Sequence, residues 1–288
     1  MLNTPIKPML LQPATEIPKS NKYIHQLKLD GHRALFHYDR GNIKIFTRHL
    51  NEVTYKYIEL QGIKLPVTTC ILDGEMICFD GKENPPKPCF DSLMVRFQMS
   101  NQEKIKEIKD LLPVHFSSFD ILYLNGESLI NKPLSERLDT LNTIVENTPY
   151  ISTCPTYSDG DELYNRVEDL GLEGVVSKNL SRPYTLDSRP QDVFLKIKNY
   201  QYDSVKIGAI RKKKFGWLML DQDNQYKGIL EFVPPKERKA FYEISKQLIT
   251  NEDENYFYLD PLIKCEVKFQ CLSKKGLMRS ASFQKFII

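Results

Sequence analysis

Between Tyr23 and Thr47, short runs of apolar and β-favouring residues are separated by polar turns, which predicts strands at Tyr23–Leu29, Ala34–Tyr38 and Ile43–Thr47. Asp39-Arg40-Gly41-Asn42 supplies the turn between the last two. Val67–Phe79 is a stronger apolar stretch interrupted by Asp73-Gly74-Glu75, and Val114–Leu124 reads as a buried strand. Leu134, Leu138, Leu141 and Val145 recur at helical spacing and make Pro133–Val145 an amphipathic helix. Gln102–Leu112 and Asp161–Leu170 are further helices, and Thr54–Leu60 begins another. Gly174–Lys178 and Val193–Ile197 are strands. Residues 1–20 form an extended, proline-punctuated lead-in. Asp80–Asp91, with Pro85, Pro86 and Pro88, is a loop.

The pattern changes beyond Tyr200. Strands are expected at Ser204–Ile210, Trp217–Leu220, Tyr226–Phe232 and Pro261–Cys271, with a helix at Pro235–Ile249. A five-stranded barrel with a helix before its later strands suits this order. The fold class is therefore α+β, with domains at residues 1–200 and 201–288. Asn199–Asp203 is the expected hinge.

Composition refines this picture in three ways. A chain of 288 residues has room for two cores. Its net charge of +3 is unevenly placed: 24 basic residues face 26 acidic ones in 1–200, against 16 and 11 in 201–288. A basic last third suits a polyanionic partner, or a bias towards solubility. The six cysteines have neither zinc-type nor disulfide spacing and read as reduced, mostly buried thiols of a cytosolic protein. No apolar run reaches membrane-spanning length, and Pro5, Pro8 and Pro13 argue against a signal peptide.

Four short constellations carry possible chemistry. In Leu27-Lys28-Leu29-Asp30-Gly31-His32-Arg33, an extended chain would put Lys28 and Asp30 on one face, and Gly31 would let Arg33 turn back towards them. A lysine nucleophile fits this grouping, as does a surface hairpin with ordinary ion pairs. Asp73 and Glu75 flank a glycine in an apolar run; they can accept hydrogen bonds from a sugar and a basic residue, or mark a strand-end turn. Glu173-Gly174 leads into a buried strand and suits Mg²⁺, or merely starts that strand. Lys196 and Lys198 share one strand face, awaiting an anion or water.

Taken in order, Lys28–Arg33, Thr47-Arg48, Leu72–Glu75, Ser118-Phe119-Asp120-Ile121-Leu122, Glu173–Lys178 and Lys196–Lys198 resemble the motifs of the covalent nucleotidyltransferases, specifically the ATP-dependent DNA ligases. The run Phe119–Glu127 is especially ligase-like. The resemblance covers essentially the whole chain. Size and the ending Gly276–Phe283 are most similar to small bacterial and phage ligases and to the ligase domain of bacterial end-joining ligases. It implies a nucleotidyltransferase (adenylation) domain of antiparallel sheets with flanking helices, followed by an all-β OB-fold domain that binds DNA.

The resemblance also implies roles. Lys28 attacks the ATP α-phosphate and carries AMP, with Asp30, Arg33, Lys196 and Lys198 in the catalytic set. Gln26, Leu27, Lys28, Arg33, Glu75, Phe119, Glu173, Lys196 and Lys198 bind the nucleotide: Gln26 at the adenine edge, Phe119 stacked on adenine, Glu75 at the ribose with Asp73 in support, and the lysine pair at the α-phosphate. Glu173 engages Mg²⁺, with Mn²⁺ as a substitute. Arg48 meets the 5′-phosphate of a nick. The run Arg211-Lys212-Lys213-Lys214, a basic turn or a solvated hairpin tip, would grip DNA.

The implied partner is nicked duplex DNA, with a Ku-like end-binding protein as a further candidate. No membrane is involved, and the enzyme is expected to be a cytoplasmic monomer, bacterial or phage-encoded. Two rival readings are an mRNA-capping-type enzyme using GTP and an inactive OB-type DNA-binding protein. One departure stands out: many relatives end in an Arg-any-Asp-Lys element, whereas this sequence reads Phe286-Ile287-Ile288 there, with Met278-Arg279 and Lys285 as substitutes.

Overall fold

The structure, a computed structural model, describes residues 1–79, 81 and 86–287. It divides into two compact units, Met1–Lys198 and Asn199–Ile288.

The first unit opens with β1 (Gln12–Pro13), β2 (Tyr23–Leu27), β3 (His32–Asp39), β4 (Asn42–Thr47) and β5 (Thr69–Cys78). Then come α1 (Phe90–Gln98), α2 (Gln102–Ile108), β6 (Val114–Leu124), β7 (Glu127–Ser128) and α3 (Leu134–Ile144). It finishes with β8 (Ile151–Thr153), α4 (Gly160–Asp169), β9 (Gly174–Asn179) and β10 (Phe194–Lys198). Two sheets result. One has the order β1-β10-β9-β2; the other runs β4-β3-β5-β6-β7, with β8 parallel to β6.

Period-two alternation gives the smaller sheet two different faces. Val175, Leu195 and Ile197 pack on Leu163 and Val167 of α4. The residues between them in register, Val176, Lys196 and Lys198, belong to the opposite face. In the larger sheet Leu35, Phe36, Leu72 and Ile121 join the main core, and Leu134, Leu138, Leu141 and Ile144 of α3 cover it at the helical spacing of the sequence.

The second unit contains β11 (Gln201–Arg211), β12 (Trp217–Leu220), β13 (Tyr226–Leu230), α5 (Pro235–Ser245), β14 (Ile249–Glu252), β15 (Tyr256–Leu259), β16 (Lys264–Phe269) and β17 (Ser282–Ile287). Long β11 pairs with β12, β15 and β16 in turn, and β16 pairs with β17. Phe283 N–H donates to Phe232 O (2.8 Å), which joins the chain just after β13 to β17. Trp217 anchors the core against Phe241 of α5, with ring centroids 4.4 Å apart.

Several expectations change. The first strand stops at Leu27, because the chain then leaves one sheet for the other. Gly31 is needed for space rather than for a left-handed turn: a Cβ there would lie 2.1 Å from Met76 O. Thr54–Leu60 is not an α-helix but two 3₁₀ turns, consistent with its β-branched and aromatic residues. Asp73-Gly74-Glu75 does not interrupt its strand; β5 runs through it. Of the loop expected at Asp80–Asp91, residues 80 and 82–85 lie outside the described residues, and Phe90-Asp91 already belong to helix α1. Among its described residues the second unit has seven strands rather than five, because Ile249–Glu252 and Tyr256–Leu259 also pair. Its helix ends at Ser245 and β16 spans only Lys264–Phe269. Gln201–Asp203, expected in a hinge, pair with β16.

Candidate active site

Between the two sheets of the first unit lies a cleft of about 430 Å³, open mouth included. Gln26, Lys28, Val176 and Lys178 approach from the smaller sheet, and Arg33, Glu75 and Phe119 from the larger. Leu27 also borders it, although its side chain packs with the α4 cluster.

Lys28 follows β2 and is fixed by its own N–H, which donates to Gly174 O (2.9 Å). That contact brings Lys28 beside the start of β9. Gly174 must be glycine: its φ is +149°, and a Cβ would lie 2.2 Å from Ile197 O. Lys28 Nζ consequently donates to Glu173 Oε2 (2.8 Å), and Lys198 Nζ lies 3.5 Å from Glu173 Oε1. Burial lowers the pKa of Lys196, and the neighbouring charges of Lys198 and Lys28 lower it further. For Lys198 burial again leads, opposed by Glu173 and reinforced by Lys28, with Asp30 near enough to stabilise its charge. Three amines thus crowd one carboxylate, an arrangement that an anion such as a polyphosphate would relieve.

Phe119 reaches the cleft through a β-bulge. Gly74 pairs with Ser118 but Asp73 with Asp120, leaving Phe119 as the extra residue. A bulge re-aims the side chain it carries. Asp120 is fully buried and held by Arg137 through Nε (2.7 Å) and a second guanidinium nitrogen (2.9 Å). Lys178 Nζ lies 4.1 Å from the Phe119 ring centroid and donates to Phe119 O (3.0 Å). Burial pushes the Lys178 amine down to about 8, with Asp120 resisting the shift.

Arg33, expected at the nucleotide, is bonded within the protein. Its Nε donates to Asp73 Oδ1 (2.8 Å) and its terminal nitrogens to Asp73 Oδ2, Met9 O and the Tyr184 hydroxyl. Burial alone would lower the Arg33 pKa, but Asp73 outweighs it and holds the guanidinium more firmly protonated than usual. The Tyr184 hydroxyl also donates to Asp73 Oδ2 (2.6 Å) and accepts from Met9 N–H (3.0 Å). Arg33 borders the cleft, 5.3 Å from the Phe119 centroid, while it makes these four hydrogen bonds. Glu75, opposite Arg33 in register, has its carboxyl raised to about 8 by burial, against the pull of Lys28 and Arg33. Gln26 is buried and donates to Cys154 O (3.3 Å).

Arg48 lies elsewhere, exposed in the turn after β4, where its Nε donates to His49 Nε2 (3.1 Å). Arg211–Lys214 begins at the end of β11 in the second unit, and there most of the charge is already met. Arg211 and Lys214 both pair with Glu231, and Lys212 with Glu252. Lys213 has no ion pair among the described residues.

Sequence reasoning gave no role to Met9, Arg137, Lys178 or Tyr184. Lys178 left one signal, a lysine two residues after Val176 on the same face of a buried strand. The others meet the site only through partners distant in sequence, and those pairings have no local signature.

A family model described as the ATP dependent DNA ligase domain matches residues 8–198. The SPbeta prophage-derived DNA ligase-like protein LigB of Bacillus subtilis (strain 168) is 32% identical over 282 residues, covering 98% of each chain. A DNA ligase of Thermococcus fumicolans is 28% identical over 311 residues; they cover 98% of this chain but 54% of that protein, so the chain spans about half its length. Among solved structures, the mycobacterial DNA ligase D complexed with ATP and MES matches at 22% identity and TM-score 0.59, covering 98% of this chain and 95% of that one. A structure from a study of Lig E DNA ligases matches at 19% identity and TM-score 0.67, covering 97% and 99%. At these identities the structural likeness concerns the fold, a nucleotidyltransferase body followed by an OB-type module.

Proposed function

The chain belongs to the ATP-dependent DNA ligase family, and from that premise we propose that it seals 3′-hydroxyl/5′-phosphate nicks in duplex DNA through a lysyl-AMP intermediate. The observation that carries this reading is the convergence of Lys28, Glu75 and Phe119 on one cleft from two sheets. The neutral Lys28 amine attacks the ATP α-phosphorus; a P–N bond forms and the bond to pyrophosphate breaks. AMP then passes to the 5′-phosphate of the nick, and the 3′-hydroxyl displaces it.

The roles follow from position. Lys196 and Lys198 stabilise charge developing on the α-phosphate. Glu75 meets the ribose hydroxyls, Gln26 the adenine edge, and Phe119 offers a stacking surface. Asp30 tunes Lys198 from nearby. Arg33, tied to Asp73 and Tyr184, shapes the cleft rather than gripping the nucleotide. Arg48 takes the 5′-phosphate of the nick, and the second unit contributes DNA contacts through Lys213 and its neighbours.

Mg²⁺, or Mn²⁺ in its place, fits the donor set. No group of three or more ligating side chains occurs among the described residues, but Mg²⁺ needs only one or two carboxylates beside substrate phosphates. Glu173 would hold it, and when bound it offsets negative charge on those phosphates. The reading carries with it a monomer acting in the cytosol, where a Ku-like protein could deliver broken ends. Among the described residues no helix is long and apolar enough to cross a membrane.

The test is incubation with α-labelled ATP and a divalent cation, followed by a denaturing gel. Label should stay on the chain, and unlabelled GTP should not compete. Retention from GTP would point to a capping-type enzyme, and no retention from either to an inactive DNA-binding protein.

A further inference from the structure

Leu50 has φ +69°. Among the described residues it is the only large apolar side chain on a non-glycine residue at positive φ; the others are asparagine, aspartate, arginine and serine. Glycine adopts this conformation freely and asparagine with little strain, but leucine does not. The residue is 37% exposed and stands among the exposed large apolar residues of its unit.

The turn itself is firmly built. Leu50 N–H donates to Thr47 O and Thr47 N–H to Asn51 O, both at 2.9 Å. Thr47 Oγ1 accepts from the N–H groups of His49 and Asn51, both at 3.3 Å. A rigid turn therefore presents an apolar side chain to solvent through an unfavourable backbone. Strain of this kind is found where the fold serves a function.

The neighbours indicate the partner. Arg48 and His49 are exposed beside Leu50, and the Arg48 guanidinium, bonded to the His49 ring, forms no ion pair among the described residues. An unbalanced cation two residues from an exposed apolar tip complements a polyanion with apolar surface between its charges. In duplex DNA that surface is the carbon edge of deoxyribose, because stacking hides the base faces. We propose that Leu50 packs on a deoxyribose of the nicked strand, beside the phosphate that Arg48 binds. The proposal rests on the ligase reading above and adds to it a DNA contact outside the nucleotide cleft.

The test uses full-length Leu50→Asn and Leu50→Met. Asparagine tolerates the backbone and removes the apolar contact; methionine keeps the contact. Melting temperature and the Kd for a nicked duplex at fixed salt are measured for both and for the wild type. Leu50→Asn should melt no lower than the wild type yet bind the nick about five-fold more weakly, the loss expected for one apolar side-chain contact. Leu50→Met should bind like the wild type. Unchanged nick affinity in Leu50→Asn, or a lowered melting temperature that assigns Leu50 to packing, would overturn the proposal. A wild-type protein that binds no nick at all would instead overturn the ligase reading beneath it.

Discussion

Lys28 Nζ and Glu173 Oε2 lie 2.8 Å apart, so the candidate nucleophile and the candidate metal ligand are each other's partner. Only a free amine attacks phosphorus, so this contact has to be released before Lys28 can react. Lys28→Ala should abolish covalent AMP uptake. Glu173→Ala keeps the amine but loses the group that positions it, and should slow labelling by about 100-fold. Retained label on a denaturing gel, followed over time, measures both. Wild-type labelling by Glu173→Ala would remove Glu173 from the mechanism.

Phe119 is expected to matter before DNA is involved. Its ring is turned out of the sheet by a bulge and meets Lys178 at 4.1 Å. Replacing it by alanine removes a stacking surface worth roughly 1 kcal/mol, so the KM for ATP should rise about five-fold. Sealing of a preadenylated nick should suffer less. Equal losses in the two assays would identify Phe119 as core, not as a platform for the base.

The parts of this site that could be read from sequence are those encoded locally. Lys28 followed by Gly31, Glu173 followed by Gly174, and Lys196 two residues before Lys198 all announce themselves within a few residues. Arg33 does not. Its partners Asp73 and Tyr184 are 40 and 151 residues away, and only the folded sheets bring them together. Helix α1 was hidden behind a proline-rich stretch. The β14–β15 hairpin was hidden because Ile249–Glu252 is exposed throughout and lacks the alternation of a half-buried strand.

Glu75 supplies a pH signature. Burial raises its carboxyl from 4.5 to about 8, so between those values the folded chain holds a proton that the unfolded chain has lost. Stability contributed by this group therefore falls as pH rises from about 4.5 to 8, and the full penalty remains above 8. Glu75→Gln cannot ionise. Its melting temperature relative to the wild type should improve between pH 5 and pH 9. An equal melting-temperature difference at both pH values would show that burial does not govern this carboxyl.

The basic run of the second unit is weaker than its sequence suggests. Arg211 and Lys214 hold the Glu231 carboxyl below its ordinary range, and Lys212 pairs with Glu252 at 2.7 Å. Three of the four cations thus share two carboxylates before any DNA arrives. Exposed pairs of this kind are individually weak, so phosphates can compete for the cations, but each exchange gains less than a contact from a free lysine. Lys213 should therefore carry the largest share. Lys213→Ala should flatten the salt dependence of nick binding by about 0.9 in slope, the value for one phosphate contact. Glu231→Gln should act in the opposite direction: it frees Arg211 and Lys214, tightens nick binding at low salt and steepens the slope. Kd values for a nicked duplex across a salt series measure both effects. If neither variant changes the slope, the run is a solvated hairpin tip, and Lys264, Lys268, Lys274 and Lys275 become the residues to neutralise next.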